Sequence, residues 1–421
     1  MSTSAISFDV QAARSQFPAL ARPIDGRQCV YFDGAAGSQV PGRVIQAIGD
    51  YLATINANHG GVFATSRASD AMLDEAHWAA ADFLGCGDPG TTIFGANMTT
   101  LTLALSRSIG RTWHEGDRVI VTQLDHDANV SPWVLAARDA GASVEHVRVR
   151  PDDCTLDLDH LRQLLSRPAR LVAVGAASNA VGTINPVRQI ADWAHAAGAE
   201  LFVDAVHYAP HRLIDLAGWD CDYLVCSAYK FFGPHLGLLW GRREHLERLS
   251  AYKLRPAPDE LPERWMTGTQ SHEAIAGALA AIEYLADLSG SAAPIGPGSS
   301  RRERLAASMA AIEAYETHLV RGLLEGLARL PHVRVWGIQA ADRLHQRVPT
   351  VSVRHDRLTA REVAEYLAEH GIFAWHGNFY ALPLTEALGL EPDGLLRISL
   401  LHYNTVEEVE RLLAALEELD V

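Results

Sequence analysis

Cysteine is scarce in this chain: five in 421 residues, odd in number and scattered at Cys29, Cys86, Cys154, Cys221 and Cys226. No pair stands at C-x-x-C spacing, so neither a zinc ribbon nor a disulfide framework is expected, and reduced thiols in a cytoplasm are. After Cys226 there is none at all. No run of 18 apolar residues occurs, which argues against a membrane-spanning helix. The opening MSTSAISFDVQAARSQFPAL lacks the apolar stretch that a signal peptide needs. Positive charge is also short: 36 Lys and Arg against 51 Asp and Glu leave a formal charge of −15. A surface of that sign repels a phosphate backbone, so nucleic acid is not an expected partner. A local basic pocket for a small anion is still compatible with it. The rest of the composition is that of an ordinary globular protein, 48% hydrophobic and long enough to bury a large core.

Between residues 90 and 245 short apolar runs alternate with helical patterns. The runs are TTIFG (91–95), RVIVTQ (118–123), VEHVRV (144–149), RLVAVGAA (170–177), LFVDAV (201–206), YLVCSA (223–228) and LGLLWG (236–241). Helical stretches such as VRQIADWAHAAG (187–198) separate several of them. Near-continuous apolar strands joined by helices predict an α/β fold with a mostly parallel sheet covered on both faces. Ligands of such sheets sit beyond the carboxyl ends of the strands. SGSAAPIGPGSS (289–300) reads as a loop or hinge. An amphipathic helix with Leu305, Met309, Ile312, Leu319, Leu323 and Leu327 on one face follows it. Near the end, VPTVSV (348–353) predicts a strand, and Thr359-x-x-Glu362 and Thr405-x-x-Glu408 are capping boxes that open helices of a smaller α+β unit. No internal repeat is found.

The chemistry concentrates in CDYLVCSAYKFFGPHLGLLWG (221–241), where a core strand ends and Lys230 follows almost at once. A lysine is expensive to bury, and a desolvated one is neutral and nucleophilic, able to form an imine with a carbonyl. Taken alone, a surface lysine snorkelling along an apolar wall is the simpler reading. The upstream strand end VDAVHYAPH supplies Asp204, a carboxylate of the kind that keeps a protonated pyridine ring an electron sink. Asp125-His126-Asp127 and Asp204-x-x-His207 contain metal-ligand types, but no third partner stands at suitable spacing, so no metal is expected.

With these motifs the sequence resembles the class V aminotransferase family of fold-type I pyridoxal 5′-phosphate (PLP) enzymes, in its cysteine desulfurase-like branch. The resemblance runs from YFDGAAGSQVP (31–41) to RISLLHYNT (397–405). It implies a large domain (25–288) with a seven-stranded sheet, and a small domain made of residues 1–24 and 289–421. Lys230 would carry the cofactor as a Schiff base and move the substrate proton. Asp204 would pair with the pyridine nitrogen and His126 would stack on the ring. Asn179 would bond the ring hydroxyl, with His207 nearby where the family usually has glutamine. The phosphate would be held by Ser227, Tyr229 (in place of a usual histidine) and the helix start at Met98, Thr99 and Thr100, where free N–H groups favour an anion. Thr269 would reach the phosphate of a partner subunit, giving a homodimer with shared active sites. Arg397 would clamp the carboxylate of an amino-acid substrate, with Ala35, Ala36 and Asn179 beside it.

The pattern breaks at IFAWHGNFYALPL (372–384). Cysteine desulfurases take sulfur onto a mobile cysteine there, and the register set by Gly377 and Ala381 puts Tyr380 in its place, with Trp375 where an arginine is usual. A persulfide mechanism is therefore not expected. Tyr380 and His376 become candidate acid/base groups, although Trp375, Phe379 and Tyr380 also suit plain aromatic packing. The leading expectation is a carbon–sulfur β-lyase working without a catalytic cysteine. Aminotransferase and amino-acid epimerase remain open, and a PLP-binding regulator without turnover is the reading outside enzymes.

Overall fold

The computed structural model describes residues 8–288 and 298–419. Its centre is a seven-stranded sheet. The spatial order is Thr92–Gly95, Gly237–Gly241, Tyr223–Ser227, Glu200–Asp204, Leu171–Gly175, Arg118–Thr122 and Ser143–Val147. Gly237–Gly241 runs antiparallel to both of its neighbours, and every other pairing is parallel. All seven strands match the predicted apolar runs. The last one, predicted over 144–149, ends at Val147, and Val149–Arg150 pairs instead with Thr155–Leu156 in a small hairpin.

Alternate side chains of these strands enter two apolar layers. Val119, Val121, Leu171, Ala173, Phe202, Val225 and Leu239 fill one. Ile120, Val172, Val174, Leu201, Val203, Leu224, Cys226 and Leu238 fill the other. Burial on both faces is what lets the strands read as continuous apolar runs. Gly237 has a packing reason: a Cβ there would meet the carbonyl carbon of Asn97 at 2.4 Å. The antiparallel strand thus runs directly beneath the start of helix Met98–Gly110.

The C-terminal part carries a four-stranded antiparallel sheet in the order Val333–Trp336, Thr350–His355, Leu395–Ser399, Trp375–Gly377. The 27-residue helix Arg301–Leu327, Ala360–Glu369 and Val406–Glu417 belong to the same part. The capping boxes at Thr359 and Thr405 are both formed, and Ser300–Glu303 adds a third. Early residues reach this part directly: Val30–Tyr31 pairs with Ile372–Phe373, and Arg14 bridges Glu408 at 2.8 Å. Most of the predicted hinge at 289–300 lies outside the described residues. Among the described residues no helix is long and apolar enough to cross a membrane.

Candidate active site

The carboxyl ends of the parallel strands open into a cleft of about 540 Å³. Several of these strand ends deliver a polar group to it. Leu171–Gly175 leads to Asn179, Glu200–Asp204 ends on Asp204, and Arg118–Thr122 leads to Asp125 and His126. Tyr223–Ser227 runs into a short turn carrying Tyr229 and Lys230. The C-terminal part closes the other side with Trp375, His376, Phe379, Tyr380 and Arg397, and Ala35 and Ala36 line the floor.

Lys230 is buried, and its Nζ donates to the carbonyls of Ala35 and, at 2.9 Å, Ala36. Burial lowers its pKa to about 7, helped by Arg397 and opposed by Asp204 and Asp33. Asp204 is pushed up to about 6 by burial, against a 2.8 Å bond from the Val206 N–H and the nearby lysine. His126 is pushed down to about 4 by burial and Lys230, so it is a neutral ring. Its Nδ1 accepts from the Ala128 N–H at 3.0 Å, which places the proton on Nε2. Tyr380 stacks on this ring with centroids 5.4 Å apart.

Arg397 is buried over the Phe379 ring and donates to the Asn179 carbonyl at 3.0 Å. Its Nε has no partner among the described residues. Asn179 gives its Nδ2 hydrogen to the Phe379 carbonyl at 2.9 Å, leaving Oδ1 buried and without a partner among the described residues. The backbone of Asp127 similarly donates to the Tyr380 carbonyl at 2.7 Å. These two bonds pin a turn in which Phe379 and Tyr380 both adopt positive φ, 57° and 58°. Such a conformation is costly for non-glycine residues and persists only when its surroundings hold it.

The helix start is arranged as a partly filled anion cradle. The Met98 N–H donates to Ser227 Oγ at 3.1 Å and the Thr100 N–H to its Asn97 cap at 2.9 Å. The Thr99 N–H is left without a partner among the described residues, and Thr99 lines the cleft. Thr100 does not: its hydroxyl also turns to Asn97, so its place in the sequence-based set is that of a cap partner. Ser227 sits just behind the lining and acts through Met98. Thr269 is away from this cleft, on a separate depression of about 990 Å³ with Asn58, His59, Asp70 and His272. Within one chain it therefore touches none of the other candidates.

One carboxyl escaped the sequence reading, and another stood out there only as a metal-ligand type. Asp33 is half-buried with its Oδ1 enclosed and without a partner among the described residues, is raised to about 6 by desolvation, and acts electrostatically on both Lys230 and Arg397. Its signal was present, since it stands two residues before Ala35 in the quoted YFDGAAG motif. Asp125 accepts from the Gly175 N–H at 2.8 Å and from Asn129 at 3.1 Å. A Cβ on Gly175 would stand 2.7 Å from its Oδ1, so only glycine admits this contact. Burial, with Asp204 close by, raises Asp125 to about 7. Cys29, Cys154, Cys221 and Cys226 are buried, Cys86 is partly so, and no cysteine lines the cleft.

The sequence matches the family described as "Aminotransferase class-V" over residues 30–294 and 303–412. The chain belongs to the class V aminotransferase family. A relative in Gibberella zeae, "Aminotransferase-like protein FGM3", is 35% identical over 98% of this chain and 99% of its own length. A solved structure of a cysteine desulfurase from Thermococcus onnurineus NA1 superposes with a TM-score of 0.86 at 28% identity, covering 97% of both chains. A structure of C-DES with glycine covalently linked to its PLP cofactor shares the fold at a TM-score of 0.77 and 20% identity, over 96% of this chain and 99% of that one. The protein is thus a fold-type I enzyme of lyase or transferase type, and its cofactor is pyridoxal 5′-phosphate. The donor set fits that group: a buried amine of lowered pKa, a strand-end carboxylate, a neutral histidine ring and a free helix N–H surround one cleft.

Proposed function

We propose that the protein is a carbon–sulfur β-lyase that acts on a sulfur-bearing amino acid without a protein persulfide. The observation that carries the reading is the Phe379–Tyr380 turn. It puts a phenol, 73% exposed, at the edge of the cleft, and no thiol lines that cleft. A thiolate is what accepts sulfur in a desulfurase, whereas a phenol passes a proton.

When bound, PLP supplies an electron sink for negative charge at the substrate α-carbon. Arg397 then holds the substrate carboxylate through Nε and its free guanidinium hydrogens, a charge-assisted contact that orients the α-carbon. Lys230, neutral over part of its population near pH 7, takes the α-proton. The Cβ–S bond breaks with its electron pair leaving on sulfur, and Tyr380 or His376 at the cleft mouth returns a proton to it. The released enamine hydrolyses to pyruvate and ammonia. With PLP bound, Asp204 would hold the pyridine nitrogen and His126 would stack on the ring. Thr99, Met98, Ser227 and Tyr229 would hold the phosphate, together with Thr269 of the partner subunit. Asn179 and His207 would hold the ring hydroxyl. The units 25–288 and 1–24 with 289–421 are the two domains between which the cleft lies.

The test is to incubate the holoenzyme with cysteine or cystine and no oxo acid. Pyruvate, ammonia and a sulfur product in equal amounts support elimination. Turnover that appears only with alanine plus an oxo acid overturns it in favour of transamination, the second reading, which the name of the 35% identical relative favours. Exchange of the α-proton with racemisation and no pyruvate would instead mean epimerisation.

A further inference from the structure

His207 lines the cleft where its family counterpart is usually glutamine, and the question is which of its ring nitrogens carries the proton. Its Nε2 lies 2.9 Å from Thr350 Oγ1, and Thr350 Oγ1 lies 2.7 Å from Ser399 Oγ. Both hydroxyls are fully buried, on adjacent strands where Thr350 and Ser399 are register partners. Nδ1 has no partner among the described residues.

Two donor assignments are possible. If Nε2–H donates to Thr350, one hydroxyl can donate to the other but not both, so one of the two hydroxyl hydrogens is left buried with no acceptor among the described residues. A buried unmade donor is costly. If the chain runs the other way, Ser399 donates to Thr350, Thr350 donates to a bare Nε2, and each hydroxyl hydrogen has an acceptor. The remaining ring proton then sits on Nδ1, the nitrogen of this cleft-lining ring that Thr350 does not hold. The doubly protonated ring is disfavoured by burial and by His211, Arg397 and Lys230, which all face it.

We infer that Ser399 and Thr350 form a one-way hydroxyl relay that fixes His207 as the Nδ1–H tautomer, making it an obligatory donor toward an anionic oxygen in the cleft. Resting on the reading above, that oxygen is the ring hydroxyl oxygen of PLP. Thr350 and Ser399 are positioning residues; neither touches the cofactor. A glutamine offers either a donor or an acceptor by rotating its amide. His207 locked by Thr350 offers only a donor.

The experiment is a pH titration of the visible absorption band of the holoenzyme. A donor to the ring oxygen stabilises the form with the imine nitrogen deprotonated, so weakening it moves the midpoint upward. Thr350→Val should raise the midpoint by about one pH unit, the scale of a weakened hydrogen bond to a charged group. Thr350→Ser should restore it. Ser399→Ala should leave it in place, because Thr350 can still donate to Nε2. An unmoved midpoint in Thr350→Val overturns the relay. A shift in Ser399→Ala as large as that in Thr350→Val overturns its direction. Nitrogen-15 NMR of histidine-labelled apoprotein, with His207 assigned by difference against His207→Gln, needs no change at Thr350; a bare Nδ1 there refutes the assignment. Absence of the visible band in the wild-type protein would instead overturn the cofactor reading, so the two failures are distinct.

Discussion

Replacing Lys230 with methionine should stabilise the apoprotein, and the gain should depend on pH in a defined way. Lys230 titrates at 10.5 in an open chain and at about 7 in its buried place. Between those values the unfolded chain holds a proton that the folded chain lacks, so wild-type stability rises with pH across that window. Below it the full cost of burying an ammonium is carried. That cost is about 4 kcal/mol at pH 7 and falls to about 2 kcal/mol at pH 9. Methionine removes it, but also removes two hydrogen bonds to the Ala35 and Ala36 carbonyls, each contributing about 1 kcal/mol independently of pH. The net gain is about 2 kcal/mol at pH 7 and close to zero at pH 9. For a cooperative chain of this length, 2 kcal/mol is about 2 °C in Tm. Asp33 and Asp204 titrate near 6, so measuring at pH 7 and pH 9 keeps them largely ionised in both. The assay is urea and thermal unfolding of cofactor-free wild type and Lys230→Met side by side. A variant no more stable than wild type at pH 7, or one whose advantage does not shrink by pH 9, refutes the argument that desolvation tunes this amine.

Three further outcomes follow from the site. Borohydride should fix the cofactor to the peptide containing Lys230, and a Lys230→Ala protein that still shows a reducible imine sinks the assignment. Arg397→Gln should lower kcat/KM for amino acids by roughly 10- to 100-fold, the worth of a charge-assisted bond, and an unchanged kcat/KM would remove Arg397 from the substrate carboxylate. A cysteine-free protein should fold, load cofactor and keep its turnover; loss of sulfur release in that protein while Tyr380→Phe remains fully active would reverse the roles proposed for thiol and phenol.

The sheet was legible because its inner strands are buried on both faces and therefore largely apolar, and because Lys230 and Asp204 stand at strand ends; the edge strand Ser143–Val147 is mostly unburied and mixed in character. The reversed direction of Gly237–Gly241 was not, since an apolar run carries no sign of its sense. Thr100 was assigned to the anion cradle from its position in the motif; the Asn97 cap, which claims both its hydrogen-bonding groups, is a local competition visible only in three dimensions. Asn179 was read as a ligand of the ring hydroxyl, but in the unliganded cleft its amide holds the Phe379 carbonyl, a contact between residues 200 positions apart. The paired left-handed residues Phe379 and Tyr380 had no glycine to announce them. Sequence does not mark out Asp33, because a carboxylate in a loop is ordinarily solvated, and it shows Asp125 only as a metal-ligand type; the burial of Asp125 and the enclosed Oδ1 of Asp33 are what distinguish them.

The burial of the thiols makes this chain a quiet background for maleimide chemistry. Cys154, Cys221 and Cys226 are enclosed and their thiols are pushed up by burial; Cys86, the least enclosed, is shifted the same way. Thiolates form the adduct, so these four should react slowly at neutral pH, and the fifth, Cys29, is buried. Tyr380 is 73% exposed on a turn beside the cleft. Tyr380→Cys would accept a single fluorophore at the mouth of the active site with no prior removal of native cysteines. The emission of that label would then report ligand entry in real time.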